Sequence, residues 1–408
     1  MKKVWDKWTR IALVKRILVG LILGAILGIA VPQATGIAIL GDVFVSALKA
    51  IAPLLVFFLV ISSLCNAGKS HGGVIKTVII LYMFSTVLAA VIAVFASMAF
   101  PVKMTLANAA TDTSAPQGIV EVLNNLLLNV VANPVSSLVN ANYVGILMWA
   151  VLLGLAFRVA DKMTKKVLAD VADGISMVVT WIINLAPFGI FGLVFNTVST
   201  NGLDIFTTYG KLLILLVGCM MFIYFVTNPL LVYWCIRQNP YPLIFHCLKR
   251  SALTAFFTRS SAANIPVNMK VCEEMGLDRD TYSVTIPLGA TINMDGAAIT
   301  ITVMTMATAF TLGIHVDIPT AIILSLLAAL SACGASGVAG GSLLLIPMAC
   351  SLFGISDDIS MQVVAVGFII GVVQDSVETA LNSSSDLLLS ASAEFRQWRL
   401  EGKEIKFK

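Results

Sequence analysis

The sequence predicts an all-α polytopic membrane protein with eight transmembrane helices and two re-entrant helical hairpins, arranged as inverted repeats. Three observations lead to this prediction. The 408 residues are 58% hydrophobic and 12% charged, whereas soluble domains carry about 25% charged residues. Apolar runs of about 20 residues, long enough to cross a bilayer, recur along the chain. Two further apolar segments are interrupted by small or polar residues, so that their arms are too short to span.

Eight apolar segments have the length of a membrane span. If the N-terminus is cytoplasmic and the spans alternate, the cytoplasmic stretches collect every basic residue except Lys49, Lys103, Lys211 and Arg259. This asymmetry predicts that both termini face the cytoplasm. The more polar region 102–139 is expected to form an outer loop or an irregular fourth element. The spans lie near residues 12–31, 43–65, 77–101, 140–157, 175–198, 210–236, 281–310 and 361–388.

The two interrupted segments read TAFFTRSSAANIP (254–266) and ALSACGASGVAGGSLLLIP (329–347). Each is expected to enter, turn and leave on one side, the first on the cytoplasmic side and the second on the outer side. Each precedes a span with acidic and asparagine residues, which is an inverted-repeat pattern. The small tip residues and the half-helix N-termini suit a bound carboxylate. Small residues also mark close helix packing in membranes, and this alternative stays open.

A polar stripe interrupts the last span, FIIGVVQDSVETALNSSSD at 368–386. At 100° per residue, Asp375, Thr379, Asn382 and Asp386 fall within an arc of about 60°, and Glu378 lies about 40° beyond one end of it. An ionised group at a helix centre costs about 2.5 to 3.5 kcal/mol on insertion scales, so the stripe must face protein, water or ions. A binding role is favoured, and a structural hydrogen-bond network is the alternative.

The preceding span, IPLGATINMDGAAITITV, places Asn293 and Asp295 beside Gly296 in a long apolar run. Gly289 and Gly296 favour local unwinding, and unwound carbonyls together with Asn and Asp oxygens suit a dehydrated Na⁺. Magnesium and zinc are less favoured, because the three histidines and seven cysteines are scattered. The alternative is an Asn–Asp pair that packs two helices.

Arg259 is the single basic residue in the two tips. It either extends to the membrane interface or pairs with an acidic group such as Glu378, and we predict pairing.

Taken together, TRSSAANIP, PLGATINMDGA, the second glycine-rich hairpin and QDSVETALNSSSD resemble the dicarboxylate/amino acid:cation (sodium) symporter family. The resemblance covers essentially the whole chain, and the details are most similar to the bacterial serine/threonine:sodium symporters. It implies a glutamate-transporter-homologue-like fold, a homotrimer in the bacterial inner membrane, and an elevator-type transporter rather than an enzyme. No nucleic-acid partner is expected.

The family's domain division is also implied. Residues 1–76 would form scaffold helices 1 and 2, and residues 102–200 would form scaffold helices 4 and 5 with the trimer contacts. Residues 77–101, as helix 3, and 201–408 would form the transport domain. In the latter lie helix 6, hairpin 1 (about 242–272), helix 7 (281–310), hairpin 2 (about 318–353), helix 8 (361–388) and a cytoplasmic tail.

The family's substrate site lies between the hairpin tips and the last span. By resemblance, Asp375 would bind the substrate amino group, Asn382 the α-carboxylate, and Thr379 would assist. Ser261 would offer its backbone N–H to the carboxylate, and the Arg259 carbonyl would help to hold the ammonium. The implied substrate-binding residues are Arg259, Ser260, Ser261, Ala297, Val338 (by its carbonyl), Ser342, Asp375, Glu378, Thr379 and Asn382.

Na⁺ is the coupling ion that the resemblance implies, and it would use three groups of ligands. The first group is Gly289, Asn293, Asn382 and Asp386. The second consists of the backbone carbonyls of Thr291, Ala332, Cys333 and Ala335. The third is Tyr82, Ser85, Thr86, Asn293 and Asp295, with hydroxyls from the motif LYMFST.

Two departures from the family pattern bear on the substrate, and a third bears on the sodium sites. Members that carry acidic amino acids have an arginine at the position of Glu378 and a threonine at that of Ala297, both for a side-chain carboxylate. A glutamate would repel that carboxylate, so a small neutral amino acid is expected. The hydroxyl of serine or threonine could bond Glu378 or Ser342, and alanine and cysteine remain open. A further family carboxylate is here Gly371, which bears on whether every sodium site keeps the strength it has in the family.

The sequence therefore predicts a secondary active transporter that imports serine or threonine with Na⁺. One alternative is a sodium- or proton-coupled carrier of another small amino acid or carboxylate, with Asp375 and Glu378 as proton relays. A second is an intramembrane aspartyl hydrolase that uses Asp295 and Asp375. A third is an amino-acid sensor without transport.

Overall fold

The computed structural model describes residue 11 and residues 13–66, 73–106, 128, 131–203, 205–335 and 340–405. These residues form helices joined by turns, and none of them lies in a strand. The predicted all-α class is confirmed. In the first half the helices are α1 Leu13–Ala30, α2 Ile39–Asn66, α3 Gly73–Ala99, α4 Pro134–Val139, α5 Tyr143–Ala156, α6 Lys162–Asn184 and α7 Ala186–Asn201.

The second half contains two interrupted helix pairs, one broken helix and one very long helix. Its helices are α8 Ile205–Phe222, α9 Asn228–Ile236, α10 Tyr241–Cys247, α11 Leu253–Thr258, α12 Ser261–Glu274, α13 Arg279–Ile292, α14 Asp295–Thr311, α15 Ile318–Ala332, α16 Ile346–Ser351 and α17 Asp357–Leu400. Single π-helical turns, Ile223–Thr227 and Leu248–Ala252, join α8 to α9 and α10 to α11. A 3₁₀ turn, Gly341–Leu345, precedes α16.

Within the described residues, six helical segments are long and apolar enough to cross a membrane. They are Thr35–Ser62, Gly73–Ala99, Lys162–Asn184, Phe206–Ile236, Arg279–Thr311 and Asp357–Leu400. The chain is therefore a multi-pass membrane protein, as predicted. The 14-residue α5 is shorter than the roughly 20 residues that a full span needs. The count of eight spans stays a prediction.

The predicted span 175–198 is wrong in its continuity. Helix α6 ends at Asn184 and α7 starts at Ala186, with Leu185 between them. The cause is Pro187, which has no N–H to donate to the carbonyl four residues earlier and whose ring collides with it. An apolar run of the right length therefore contains two helices rather than one.

Helix α1 packs closely on α7 through three glycines spaced four residues apart. A Cβ atom on Gly20 would lie 2.2 Å from the carbonyl oxygen of Pro187, and one on Gly24 would lie 2.6 Å from that of Phe191. On Gly28 it would be 3.0 Å from both the carbonyl oxygen of Phe195 and a side-chain atom of α7. Small residues at this spacing let the two backbones approach, as is common between helices in membranes.

Both interrupted segments are divided between two helices. In the first, α11 ends at Thr258 and α12 begins at Ser261, so the tip is Arg259 and Ser260. In the second, α15 ends at Ala332, and Gly341–Leu345 leads into α16. Residues 336–339 of the second predicted tip lie outside the described residues.

The predicted unwinding near Asn293 is confirmed. Helix α13 ends at Ile292 and α14 starts at Asp295, while Asn293 and Met294 have non-helical backbone angles. Helix α17 runs for 44 residues beside this break and contacts α3, α11, α12, α13 and α14. Its central section is therefore the axis around which both tips and the break are arranged.

Candidate functional site

The polar stripe of α17 is buried, as predicted. Asp375, Glu378, Thr379, Asn382 and Asp386 are each at most 6% exposed. They do not meet in one place, however, because the helix distributes them among different neighbours. Each side chain therefore has its own environment.

Asp375 faces the tip between α11 and α12. The Arg259 guanidinium donates Nε–H to Asp375 Oδ2 at 2.6 Å, and its second nitrogen lies 2.6 Å from the same oxygen. The predicted pairing of Arg259 is confirmed, but its partner is Asp375 and not Glu378. Arg259 has φ +53°, and this left-handed turn ends α11 with the side chain beside Asp375. The buried carboxylate is thereby neutralised.

The other tip also reaches Asp375. The backbone N–H of Gly340 donates to Asp375 Oδ1 at 3.2 Å, at a left-handed position with φ +72° that suits glycine. Asp375 therefore joins both tips. Val338, which was predicted to contribute a carbonyl, lies outside the described residues.

The first tip presents backbone N–H groups of α12. Ser260 is the N-cap of α12, and its hydroxyl accepts a hydrogen bond from the N–H of Ala263 at 3.2 Å. Ser261 follows as the first helical residue and is 6% exposed. Thr379 donates its hydroxyl to the carbonyl of Asp375 at 2.8 Å. The predicted carboxylate position therefore lies at a helix N-terminus.

Glu378 points away from the Asp375 pair, towards α14 and the start of the 3₁₀ turn. Its Oε2 accepts hydrogen bonds from the Thr300 hydroxyl at 2.6 Å, the Ser342 hydroxyl at 2.9 Å and the Gln374 amide. Ala297, one turn before Thr300 on α14, is fully buried. The sequence singled out Glu378, Ser342 and Ala297, and it missed Thr300.

Asn382 connects the stripe to the break between α13 and α14. Its Oδ1 accepts a hydrogen bond from the N–H of Gly296 at 2.7 Å. A Cβ on Gly296 would lie 3.0 Å from backbone atoms of Glu378, so this glycine allows α14 to approach α17. In this arrangement the Asn382 amide is already engaged at a helix N-terminus.

The first predicted sodium group comes together around Asp386. Asn293 donates its amide N–H to Asp386 Oδ1 at 2.9 Å and to the carbonyl of Asn382 at 3.4 Å. The Tyr82 hydroxyl donates to the carbonyl of Asp386 at 2.8 Å. A Cβ on Gly289 would lie 2.8 Å from Asp386 Oδ1, so only glycine leaves this oxygen room.

The third predicted group comes together in part, because Ser85 and Thr86 contact Asp295. Its other two members, Tyr82 and Asn293, bond Asp386 instead. The Ser85 hydroxyl donates to Asp295 Oδ2 at 2.7 Å and the Thr86 hydroxyl to Asp295 Oδ1 at 3.2 Å. Sequence reasoning missed Asn228, whose Oδ1 lies 3.5 Å from the Ser85 hydroxyl and whose amide donates to Ser385 at 2.9 Å. The available signal was an Asn-Pro pair inside an apolar run.

The second predicted group spans two elements. The Cys333 thiol lies 3.8 Å from the carbonyl of Ile292, which brings the end of α15 to the end of α13. Ala332 is the last residue of α15, and its carbonyl accepts from the N–H of Ala335 at 2.9 Å. Thr291 turns its hydroxyl to the carbonyl of Leu288 at 2.7 Å. These contacts place the backbone of the second tip beside the break.

Residues 13–394 match the model of the sodium:dicarboxylate symporter family, and this match identifies the family of the chain. The chain belongs to this family. A serine/threonine transporter SstT of Bifidobacterium adolescentis is 57% identical over 406 residues, which cover 99% of this chain and 94% of that relative. A protein of the same name from Streptococcus thermophilus is 55% identical over 400 residues, 98% of this chain and 100% of that relative.

Family membership confirms the resemblance that the motifs indicated and makes the protein a transporter rather than an enzyme. The structure also argues against the aspartyl hydrolase, because its two aspartates, Asp295 and Asp375, lie in separate environments. In the symporter, Asp295 bonds Ser85 and Thr86, whereas Asp375 bonds Arg259 and Gly340. Among the described residues they share no partner, and a proton-sharing dyad requires direct contact.

The charges around the break between α13 and α14 suit a monovalent cation. Asp295 and Asp386 are at most 1% exposed, and in the described part of the chain neither forms an ion pair. The Asn293 Oδ1 is buried, and no described residue donates a hydrogen bond to it. An unpaired buried carboxylate costs several kcal/mol, and a bound Na⁺ with oxygen ligands would remove this cost.

A separate network fixes the first helix pair to α17. Asn264 and Asn268 on α12 both donate to Ser383, at 2.8 Å and 3.2 Å to its hydroxyl, and Asn268 also donates to its carbonyl at 2.8 Å. Ser251, on the π-helical turn, bonds both asparagines. These residues are at most 1% exposed, and they hold the symporter's first tip in register with Asp375.

Proposed function

We propose that the protein is a secondary active transporter that imports serine and threonine together with Na⁺. The observation that carries this proposal is the environment of Glu378. Its carboxylate is buried one turn from Asp375 and is held by the Thr300 and Ser342 hydroxyls and the Gln374 amide. A second substrate carboxylate would be repelled there, whereas a hydroxyl could donate to it.

The remaining parts of the site suit the amino acid backbone. Asp375 would bind the ammonium, sharing its charge with Arg259, and the α12 N-terminus at Ser260 and Ser261 would bind the α-carboxylate with Asn382. Thr379 would assist, and Ala297 leaves room beside Glu378. The named serine/threonine transporters among the relatives support the same substrate class.

We further propose Na⁺ as the coupling ion, held by the three predicted groups. The buried carboxylates of Asp295 and Asp386 supply charge, while Tyr82, Ser85, Thr86 and Asn293 supply neutral oxygens. Gly289, Asn382 and the carbonyls of Thr291, Ala332, Cys333 and Ala335 would complete the sites. One inward positive charge gains about 2.3 kcal/mol per 100 mV of membrane potential.

The test is uptake by proteoliposomes containing the purified protein. An inward Na⁺ gradient should drive accumulation of labelled serine, and unlabelled threonine should compete while aspartate should not. Uptake that persists without Na⁺ but follows a pH gradient would establish the proton-coupled carrier instead. Binding without accumulation would establish the sensor.

Side-chain selection has its own test, the double substitution Glu378→Arg with Ala297→Thr. It replaces the repelling carboxylate with a guanidinium, which can bind a carboxylate bidentately. The preference for serine over aspartate in competition assays should reverse. An unchanged preference would show that Glu378 does not line the side-chain pocket.

We also propose an elevator-type motion, in which residues 77–101 and 201–408 move as one unit against residues 1–76 and 102–200. Buried hydrogen bonds join α3 to α14 and α17 within the moving unit, at Ser85 and Tyr82. By contrast, α2 meets α17 through a buried edge-to-face ring pair and through exposed ion pairs. The rings are those of Phe44 and Phe368, whose centroids are 5.3 Å apart. The Lys49 ammonium lies 3.0 Å from Asp357 and 2.7 Å from Asp358. The side chains of these ion pairs are 26% to 87% exposed, and exposed ion pairs separate at a cost of up to about 1 kcal/mol each.

The same proposal includes a homotrimer in the bacterial inner membrane, eight spans with two re-entrant hairpins, and cytoplasmic termini. Spin labels at the exposed positions Thr180 on α6 and Lys249 beside α10 would measure the motion. A distribution of label distances that shifts when Na⁺ and serine are added supports the elevator. A distribution that stays unchanged in a protein that transports normally would contradict the motion and leave the transport function intact.

A further inference from the structure

Two residues outside the predicted site form a directed chain of hydrogen bonds to Glu378. The Gln374 amide nitrogen donates to the Thr300 hydroxyl oxygen at 2.7 Å and to Glu378 Oε2, and Thr300 donates to the same Oε2 at 2.6 Å. Both Thr300 and Gln374 are fully buried. The reverse amide orientation would place the Gln374 oxygen against the carboxylate, so the nitrogen faces it.

This direction fixes the hydroxyl of Thr300. An amide nitrogen only donates, so the Thr300 oxygen accepts from Gln374 and its single hydrogen is directed at Glu378. With Ser342 as the third donor at 2.9 Å, Oε2 is saturated. The structure shows no hydrogen bond from a described residue to Oε1 of Glu378, so this oxygen is the acceptor that remains.

We propose that Thr300 and Gln374 are specificity-determining positioning residues, which hold Glu378 so that Oε1 accepts the hydroxyl of the substrate side chain. This inference rests on the proposed import of serine and threonine. It attributes to Thr300 and Gln374 the preference for a substrate whose side chain carries a hydroxyl, such as serine, over one that lacks it, such as alanine. Neither residue touches the substrate. They fix the carboxylate plane by occupying Oε2, and a carboxylate free to rotate would lose part of its directed bond.

The preference should be measurable against alanine, which lacks the hydroxyl. A hydrogen bond to a charged group corresponds to a factor of about 10 to 100 in affinity. In sodium-driven uptake of labelled serine, the inhibition constants of unlabelled alanine and serine should therefore differ by about that factor in the wild-type protein.

The main variant is Thr300→Val, which keeps the shape and removes the hydroxyl. We expect the ratio of the alanine and serine inhibition constants to fall about tenfold, while Thr300→Ser restores it. The matched control is Thr302→Val on the same helix, because Thr302 is equally buried and its hydroxyl has no hydrogen-bond partner among the described residues. This control should keep the wild-type ratio.

Gln374→Met tests the chain itself. It should lower the ratio less than Thr300→Val, because Thr300 can still donate once its own acceptor role is lost. The double variant also removes the direct bond from Gln374 to Glu378, so it should lower the ratio further than Thr300→Val but by less than the two separate effects combined, since residues in one network are not additive. Independent effects that add in the double variant would show that the two residues do not act as a chain.

The outcomes separate the inference from the proposed function. If the wild-type protein accumulates serine with Na⁺ and Thr300→Val keeps the wild-type ratio, the positioning role is refuted and the function stands. The same conclusion follows if uptake falls equally for all substrates in Thr300→Val and Thr300→Ser while both proteins melt like the wild type. If the wild-type protein does not accumulate serine, the proposed function fails first.

Discussion

The substitution Asp295→Asn tests the cation site most directly, because it removes a charge and keeps the shape. The Asp295 carboxylate is fully buried and is held by the Ser85 and Thr86 hydroxyls at 2.7 and 3.2 Å. Hydroxyls can donate to the new amide oxygen and accept from the new amide nitrogen. The fold without Na⁺ should therefore be at least as stable as in the wild-type protein, since a buried charge is costly.

The magnitude follows from the loss of one buried charge opposite Na⁺. Removing one partner of a buried charge pair costs about 3 to 5 kcal/mol. At the lower value the dissociation constant for Na⁺ rises about a hundredfold. When the Na⁺ concentration is 100 times the dissociation constant of the wild-type site, the bound ion adds about 2.7 kcal/mol to the stability of the wild-type protein. At the same Na⁺ concentration the ion adds about 0.4 kcal/mol to the stability of the variant.

The assay is the unfolding temperature in detergent, with Na⁺ exchanged for K⁺ at constant ionic strength. The wild-type protein should show a Na⁺-dependent increase, and Asp295→Asn a smaller one, because the variant loses the contribution of this site and keeps that of the others. Glu394→Gln is the matched control, because Glu394 is a carboxylate that is 5% exposed, accepts the N–H of Asp278 at 2.6 Å and lies at the far end of α17. An equal Na⁺-dependent increase in Asp295→Asn and wild type would refute the cation site at Asp295.

Two further predictions concern packing and the buried ion pair. Gly24→Ala should destabilise the fold by about 1 to 3 kcal/mol and so lower the unfolding temperature, because the new Cβ would lie 2.6 Å from a carbonyl oxygen of α7. Gly210→Ala should instead stabilise the fold by up to about 1 kcal/mol, because no atom of the described residues lies within 4 Å of the new Cβ. Arg259→Met leaves Asp375 buried without its counter-charge and should lower the unfolding temperature, with partial rescue by serine, whose ammonium can replace the guanidinium. Arg250→Met, which breaks the exposed pair with Glu274, should cost at most about 1 kcal/mol, and a larger loss there than in Arg259→Met would contradict the assignment.

The extent to which the site could be predicted depended on how local each signal was. The stripe on α17 follows from the helical period, and the break at Asn293 from small and polar residues inside an apolar run. The tip at Arg259 was found in the same way. In each case the residues that determine the feature lie within a few turns of one another.

Contacts between distant segments were less accessible. The sequence predicted that Arg259 would pair, but not that Asp375 would be its partner, because both carboxylates lie on the same helix one turn apart. The path of the chain at the tip, with Arg259 at φ +53°, directs the guanidinium to Asp375 rather than to Glu378. Likewise Asn228 contacts Ser85 over 143 residues of sequence, and no period relates the two.

The sequence by itself determined the class of protein, the positions of most spans, the two interrupted segments and the acidic stripe. These depend on hydrophobicity and helical period, which act between neighbours in the chain. The tertiary structure alone decided the partner of each carboxylate and the positions of Thr300 and Gln374 around Glu378. These depend on side-chain direction and close packing between helices, and a buried polar atom takes whichever partner that packing brings within hydrogen-bonding distance.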